Sequence, residues 1–225
     1  MTSIACFARF FCMIREHGIR KIPPGLEDLE SNVYVTEDSS PLSWKMYLKQ
    51  YMRDFSEFLK LRSKELFFGG RMILTFLGRR KPSTCGETTH LWRLFSDALK
   101  DMVSEGVIQA EKLNAFKLPY YTPLMEEVKA ILEMEGSLSI EKFHTFESNW
   151  DPLDESNEDF VLDEVSSGKN VATSIRAVAE PLLSNHFGDG IIDDLFSRYA
   201  KNVARHMLKG KPKYLVFVLL LKLKE

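Results

Sequence analysis

The chain has 225 residues, with 30 Lys and Arg against 32 Asp and Glu and an apolar content of 44%. That balance excludes disorder throughout and provides no electrostatic hold on nucleic acid. At this length roughly 70% of the unfolded surface is buried on folding, so core size is not limiting. Cys6, Cys12 and Cys85 are odd in number and contain no C-x-x-C pair. Neither a disulfide framework nor a thiolate zinc site is expected, and a reducing compartment, the cytoplasm, is the default.

In chain order, Ile4 to Ile14 is apolar but carries Arg9 and lacks a small-residue cleavage site, so it is not read as a secretory signal. Ser39-Ser40-Pro41 supplies a cap and a first-turn proline. Trp44, Tyr47, Leu48, Tyr51, Phe55, Phe58 and Leu59 then recur at helical spacing, and Gly69-Gly70 is expected to end that helix. Met72 to Leu77 is an apolar run read as a buried strand. Helices are predicted around Leu91 to Val103 and Leu124 to Glu133, and a strand over Leu138 to Phe146.

The stretch from Asp151 to Glu164 holds seven carboxylates and no Lys or Arg. Without EF-hand spacing it reads as a solvated loop rather than a cation site. A helix kinked at Pro181 and closed by Gly188 carries Val171, Ile175, Val178 and Leu182; a second carries Ile192, Leu195, Phe196, Tyr199, Val203 and Met207. Tyr214 to Leu221 is eight apolar residues, far below the roughly 20 of a membrane helix, and reads as a strand. No membrane partner is expected. The pattern predicts an α/β fold with an open sheet covered on both faces and a helical elaboration between residues 84 and 135.

No G-x-G-x-x-G, P-loop, H-E-x-x-H or G-x-S-x-G occurs. His17, His90, His144, His186 and His206 lack metal-ligand spacing and read as structural. Arg79-Arg80-Lys81 follows the Met72 strand; it reads as a wet loop, with an anion beyond the strand's carboxyl end as the alternative.

Whole phrases carry more information. Gly69-Gly-Arg-Met-Ile-Leu-Thr-Phe-Leu-Gly-Arg79, Met102-Val-Ser-Glu-Gly-Val107, Pro119-Tyr-Tyr-Thr-Pro123, Glu135-Gly-Ser137, Arg176-Ala-Val-Ala-Glu-Pro-Leu182 and His186-Phe-Gly188 occur in one order. Together they resemble the plant SABATH family of carboxyl and N-methyltransferases, from about Pro23 to the C-terminus, with residues 1–22 unplaced. The resemblance implies methyl transfer from S-adenosylmethionine to the carboxylate of a small acid of the salicylate, benzoate, jasmonate or loganate kind. It also explains the empty motif scan. A carboxylate is ionised at pH 7 and a sulfonium carbon is already electrophilic, so orientation and a dry pocket replace a general base.

The same resemblance projects the substrate pocket onto Leu77, Leu91, Trp92, Tyr121, Ile175, Val178 and Tyr214. Trp92 lies on an apolar helix face with Phe95 and Leu99 and by composition alone is a core residue. The resemblance instead assigns its indole N–H to orienting the acid, and a shape role to the others. Tyr214 stands where relatives often carry Phe, adding a hydroxyl.

Two departures stand out. Where some relatives carry a magnesium-linked Asp-x-Phe-Asn phrase, this chain has Asn114-Ala-Phe-Lys117. The exchange removes one negative charge and adds a positive one, so magnesium is not expected and only the Phe116 carbonyl remains as a ligand. The family's donor-binding phrases, a glycine-bearing strand-turn, acidic ribose ligands and a Ser-Phe, have no counterpart. The expectation is therefore the C-terminal part of a Rossmann-like class I methyltransferase sheet with a helical cap and without its donor-binding strands. Such a chain would be truncated or alternatively started and poorly soluble alone, its Met72–Leu77 strand an unpaired edge. The competing expectation is an inactive ligand-binding or dimerisation module, self-paired or paired with a full-length relative.

Overall fold

The computed structural model describes residues 6–9, 33–35, 39–81, 87–156 and 158–224. Cys12, His17 and Cys85 lie outside them. Four strands form one sheet: β1 (Cys6–Arg9), β2 (Arg71–Gly78), β3 (Leu138–Asn149) and β4 (Lys213–Leu223), in the order β1-β2-β4-β3. β1 runs parallel to β2, whereas β4 is antiparallel to both β2 and β3. The expected edge at β2 is therefore covered over part of its length, because Met72 to Thr75 pair with Cys6 to Arg9.

Alternation in β2 buries Met72, Leu74 and Phe76 on one face and leaves Ile73, Thr75 and Leu77 half-buried on the other. In register, Met72, Leu74 and Phe76 face Leu221, Leu219 and Phe217 of β4. An aromatic ladder crosses this face: Phe55 meets Phe76 at 5.8 Å, Phe76 meets Phe217 at 6.0 Å, and Phe217 meets Phe143 at 5.2 Å. The Phe217 ring occupies the space above Gly78, where a Cβ would lie 2.2 Å from a ring carbon.

Phe55 belongs to α1 (Pro41–Ser63), which starts where the sequence predicts. Ser40 Oγ accepts the Ser43 N–H at 3.2 Å, and Tyr47, Tyr51, Phe55, Phe58 and Leu59 form the buried stripe. The helix ends earlier than Gly69, at Ser63. Gly69 instead serves the turn into β2, with φ +68°.

The remaining helices are α2 (Glu87–Ser104), α3 (Ala110–Ala115), α4 (Met125–Glu135), α5 (Glu164–Phe187) and α6 (Ile192–Met207). α4 packs against α1 and β3, while α2 packs against α6 and reaches β4. α5 runs through Pro181 as one helix, and α6 returns along it after a short turn at Asp189–Ile191. Gly168 permits their close approach, since a Cβ there would lie 2.5 Å from the Ala200 carbonyl oxygen.

The acidic stretch is more structural than a solvated loop. Asp151 is buried and accepts from the Asn170 amide, Asp154 pairs with Lys211 at 2.7 Å, and Asp163 caps α5 through the Val165 and Ser166 N–H groups. No described helix is long and apolar enough to cross a membrane.

Candidate functional site

The carboxyl end of β2 is where open α/β sheets bind ligands, and the chain there is ordered by one arginine. Arg79 is 7% exposed, so it does not belong to a wet loop. Its Nη2 donates to Glu127 Oε1 at 2.8 Å and to the Tyr121 hydroxyl at 2.9 Å, and Nη1 donates to the Thr122 carbonyl. The Tyr121 hydroxyl in turn donates to Glu127 Oε1 at 2.9 Å, while Glu127 Oε2 accepts the Leu124 N–H at 2.8 Å. The guanidinium lies over the Trp44 and Tyr121 rings, 5.0 and 4.9 Å from their centroids.

Arg79 thus ties the end of β2 to α1, to the 119–123 segment and to the start of α4. Burial raises the Tyr121 phenol above its usual range, and Arg79 only partly offsets this, so Tyr121 stays protonated. Arg80 pairs with Glu147 at the surface, and Lys81 is exposed.

Trp92 is 3% exposed on α2, its ring 5.4 Å from Tyr120 and 6.0 Å from Phe95. Its Nε1 is buried and has no hydrogen-bond partner among the described residues. A buried donor left unmatched costs about 1–3 kcal/mol, a state Trp92 Nε1 shares with Trp150 Nε1 and with the Tyr51 and Tyr199 hydroxyls. Leu91, beside it, is also buried.

Leu77 and Tyr214 share the half-buried face of the sheet, since Leu77 pairs with Val216 and Tyr214 lies two residues further along β4. Tyr214 stacks on Trp150 at 6.1 Å, Trp150 stacks on His206 at 5.3 Å, and His206 meets His90 at 5.5 Å. This His90–His206 pair joins α2 to α6, a contact that residue spacing did not reveal. Burial and the nearby His90, Lys209 and Arg93 lower the His206 pKa. Ile175 is buried and Val178 half-buried on α5, which packs on α6.

The seven residues expected to form the wall lie on β2 (Leu77), α2 (Leu91 and Trp92), the 119–123 segment (Tyr121), α5 (Ile175 and Val178) and β4 (Tyr214). Tyr121 differs from the expectation of a simple shape role, because its hydroxyl is committed to Arg79 and Glu127. Arg79 and Glu127 were missed as site residues. The available signal was an arginine directly after a buried strand, with a glutamate three residues past the Leu124 that opens α4.

The Asn114–Lys117 phrase does not suit a dication. Phe116 is buried at the end of α3, and the Lys117 ammonium, itself buried, donates to the Asn114 carbonyl at 2.7 Å. Burial lowers the Lys117 pKa. No group of three or more His, Cys, Asp or Glu suited to a metal ion occurs among the described residues.

A family profile described as SAM dependent carboxyl methyltransferase matches residues 12–224. The match begins ahead of Pro23, so the likeness extends into the N-terminal segment that the quoted phrases left unplaced. Anthranilate O-methyltransferase 1 of Zea mays is 40% identical over 218 residues, covering 96% of this chain and 57% of that protein. Inactive anthranilate O-methyltransferase 1 of Zea mays is likewise 40% identical, with 96% and 57% covered. The structure of a loganic acid methyltransferase with SAH superposes with a TM-score of 0.78 at 27% identity, covering 97% of this chain and 61% of that one. The chain thus spans a little over half the length of these maize relatives. With the sheet order, the helical layers and a profile match over nearly all its residues, the chain belongs to the SAM-dependent carboxyl methyltransferase family.

Proposed function

We propose that this chain forms the acceptor wall of a methyltransferase that moves a methyl group from S-adenosylmethionine to the carboxylate of a small plant acid. One observation carries the reading: the buried, unmatched Trp92 Nε1–H, at the position the family resemblance gives to orienting the acid. An acid carboxylate is the acceptor that would satisfy it. Leu77, Leu91, Tyr121, Ile175, Val178 and Tyr214 shape an apolar surround that excludes water. Ordering the two reactants in a dry site substitutes for acid–base chemistry, and well-oriented reactions reach effective molarities of about 10⁵ M or more. The Arg79–Glu127 pair holds the Tyr121 ring in place. The family's donor-gripping phrases have no counterpart in this sequence, so the reading rests on the acceptor side. We assign the protein to the cytoplasm, with no requirement for magnesium.

A second reading, an inactive ligand-binding or dimerisation module that pairs with itself or with a full-length relative, is favoured by the similarity to a maize protein named as inactive. Calorimetric titration separates the two. Saturable micromolar binding of S-adenosylmethionine by the purified chain supports the enzyme, whereas silence toward the donor favours the module, and binding of salicylate or jasmonate is expected of both. If neither ligand binds, the acceptor-wall reading fails.

A further inference from the structure

A concavity in the described part of the chain is lined by residues other than those of the expected acceptor wall. It is a cleft of about 820 Å³ between α5 and α6, within the 300–1,000 Å³ range of ligand sites, and none of the seven acceptor-wall residues lines it. Its apolar lining is Ala172, Ala200, Ala204 and the largely buried Phe196.

The charges along the cleft are uneven. At one end Arg176 is already spent, pairing with Glu180 and Asp193 at 2.7 Å each and lying over the Phe196 ring. At the other end Lys169, Lys201 and Arg205 line the mouth, all exposed and in no ion pair among the described residues; Arg205 donates to Asn202 Oδ1 at 2.5 Å and to the Lys201 carbonyl, and Lys169 lies near enough to Asp163 to lower its pKa. Glu164 is the one carboxylate lining that end. Val165 and Leu208, 55% and 68% exposed, complete the mouth with apolar surface. From Lys169 to Arg176 the helix rises about 10 Å, the length of a medium hydrocarbon chain.

We propose that this cleft is a second ligand site, separate from the acceptor wall, for an amphipathic carboxylate. The carboxylate sits among Lys169, Lys201 and Arg205, and its hydrocarbon tail lies along Ala172 and Ala200 toward Phe196. The arrangement supplies the two elements such a ligand needs, cations outside any ion pair at one end and an apolar track leading from them.

The test is calorimetric titration of decanoate, below its aggregation concentration, into the 225-residue chain. One saturable equivalent is expected. A Lys201→Glu/Arg205→Glu chain should bind at least tenfold more weakly, and Ala200→Leu, which fills the floor without touching charge, should weaken binding similarly. Decyltrimethylammonium should not saturate, and Trp92→Phe should leave decanoate binding unchanged. The proposal is overturned by no saturable binding, by equal affinity in the charge-reversed and filled variants, by equal binding of the cationic amphiphile, or by loss of binding in Trp92→Phe, which would place the ligand at the acceptor wall. Circular dichroism verifies that each variant is folded. Should the charge reversal not fold, Ala200→Leu decides.

Discussion

Replacing Glu127 with alanine removes the counter-charge of Arg79 and, at the same time, the acceptor for the Tyr121 hydroxyl and the Leu124 N–H. The Arg79 and Glu127 side chains are only 7% and 15% exposed, so solvent screens the pair little. Breaking a buried ion pair by removing one partner costs about 3–5 kcal/mol. The two lost hydrogen bonds each carry a penalty of about 1–3 kcal/mol, but they overlap with that figure because the same stranded groups are counted. A loss of about 4 kcal/mol follows. With a urea m-value near ~3 kcal/mol/M, the unfolding midpoint falls by roughly 1.3 M. The double variant Arg79→Met/Glu127→Leu should recover at least half of the loss, since a packed apolar pair leaves no charge unmatched. The reasoning is refuted if Glu127→Ala unfolds within about 1 kcal/mol of the parent, or if the double variant is no more stable than the single one.

Three further outcomes follow from other contacts. Gly168→Ala gains about 1 kcal/mol in helix propensity but drives a Cβ to within 2.5 Å of the Ala200 carbonyl, a backbone atom that cannot swing aside. Net destabilisation of about 1–2 kcal/mol and a lower Tm in calorimetry are expected, and a stabilised variant would contradict the close packing of α5 on α6. His206 has a pKa lowered from 6.5 by burial first, then by His90, Lys209 and Arg93. The unfolded chain therefore takes up that proton at higher pH than the fold does; stability is full above pH 6.5 and declines as pH drops through 6.5 toward the folded value. Urea midpoints at pH 7.5 and 5.5 measure this slope, and it should flatten in His206→Gln; an unchanged slope refutes the assignment. Trp92→Phe removes a donor with no protein partner, so stability should shift by less than about 1 kcal/mol while salicylate affinity falls roughly tenfold or more, read by titration. A large stability loss with unaltered affinity would make Trp92 a plain core residue.

Most elements were legible because each presents one periodic apolar face. The Ser40 cap, the Trp44-to-Leu59 stripe and the two-residue alternation from Met72 depend on local chemistry that any reader of the chain can count. The burial of Arg79 is not legible, for the opposite reason. A basic triplet after a strand is ordinarily solvated, and only its partners, one 48 residues away at Glu127, convert it into a buried tie. The same applies to Asp151, whose partner Asn170 sits on the following helix, and to His90 and His206, which lie at separate points in the chain but meet in space. The end of α1 was placed too late because Gly69 does take a left-handed conformation, but it does so to enter β2 rather than to terminate the helix. Tyr121 stands in the Pro119–Pro123 phrase and is legible as a candidate, whereas the commitment of its hydroxyl to Arg79 and Glu127 is a property of tertiary packing alone.

The position of β4 also has consequences for synthesis. Translated last among the four strands, it is nevertheless the one that separates β2 from β3 and hydrogen-bonds to both along its length. A nascent chain must therefore hold two unfinished ledges apart until residues 213–223 emerge from the ribosome, a long-range closure of the kind that folds slowly and invites chaperone capture. Removing most of residues 213–223 would therefore not trim an edge but part β2 from β3.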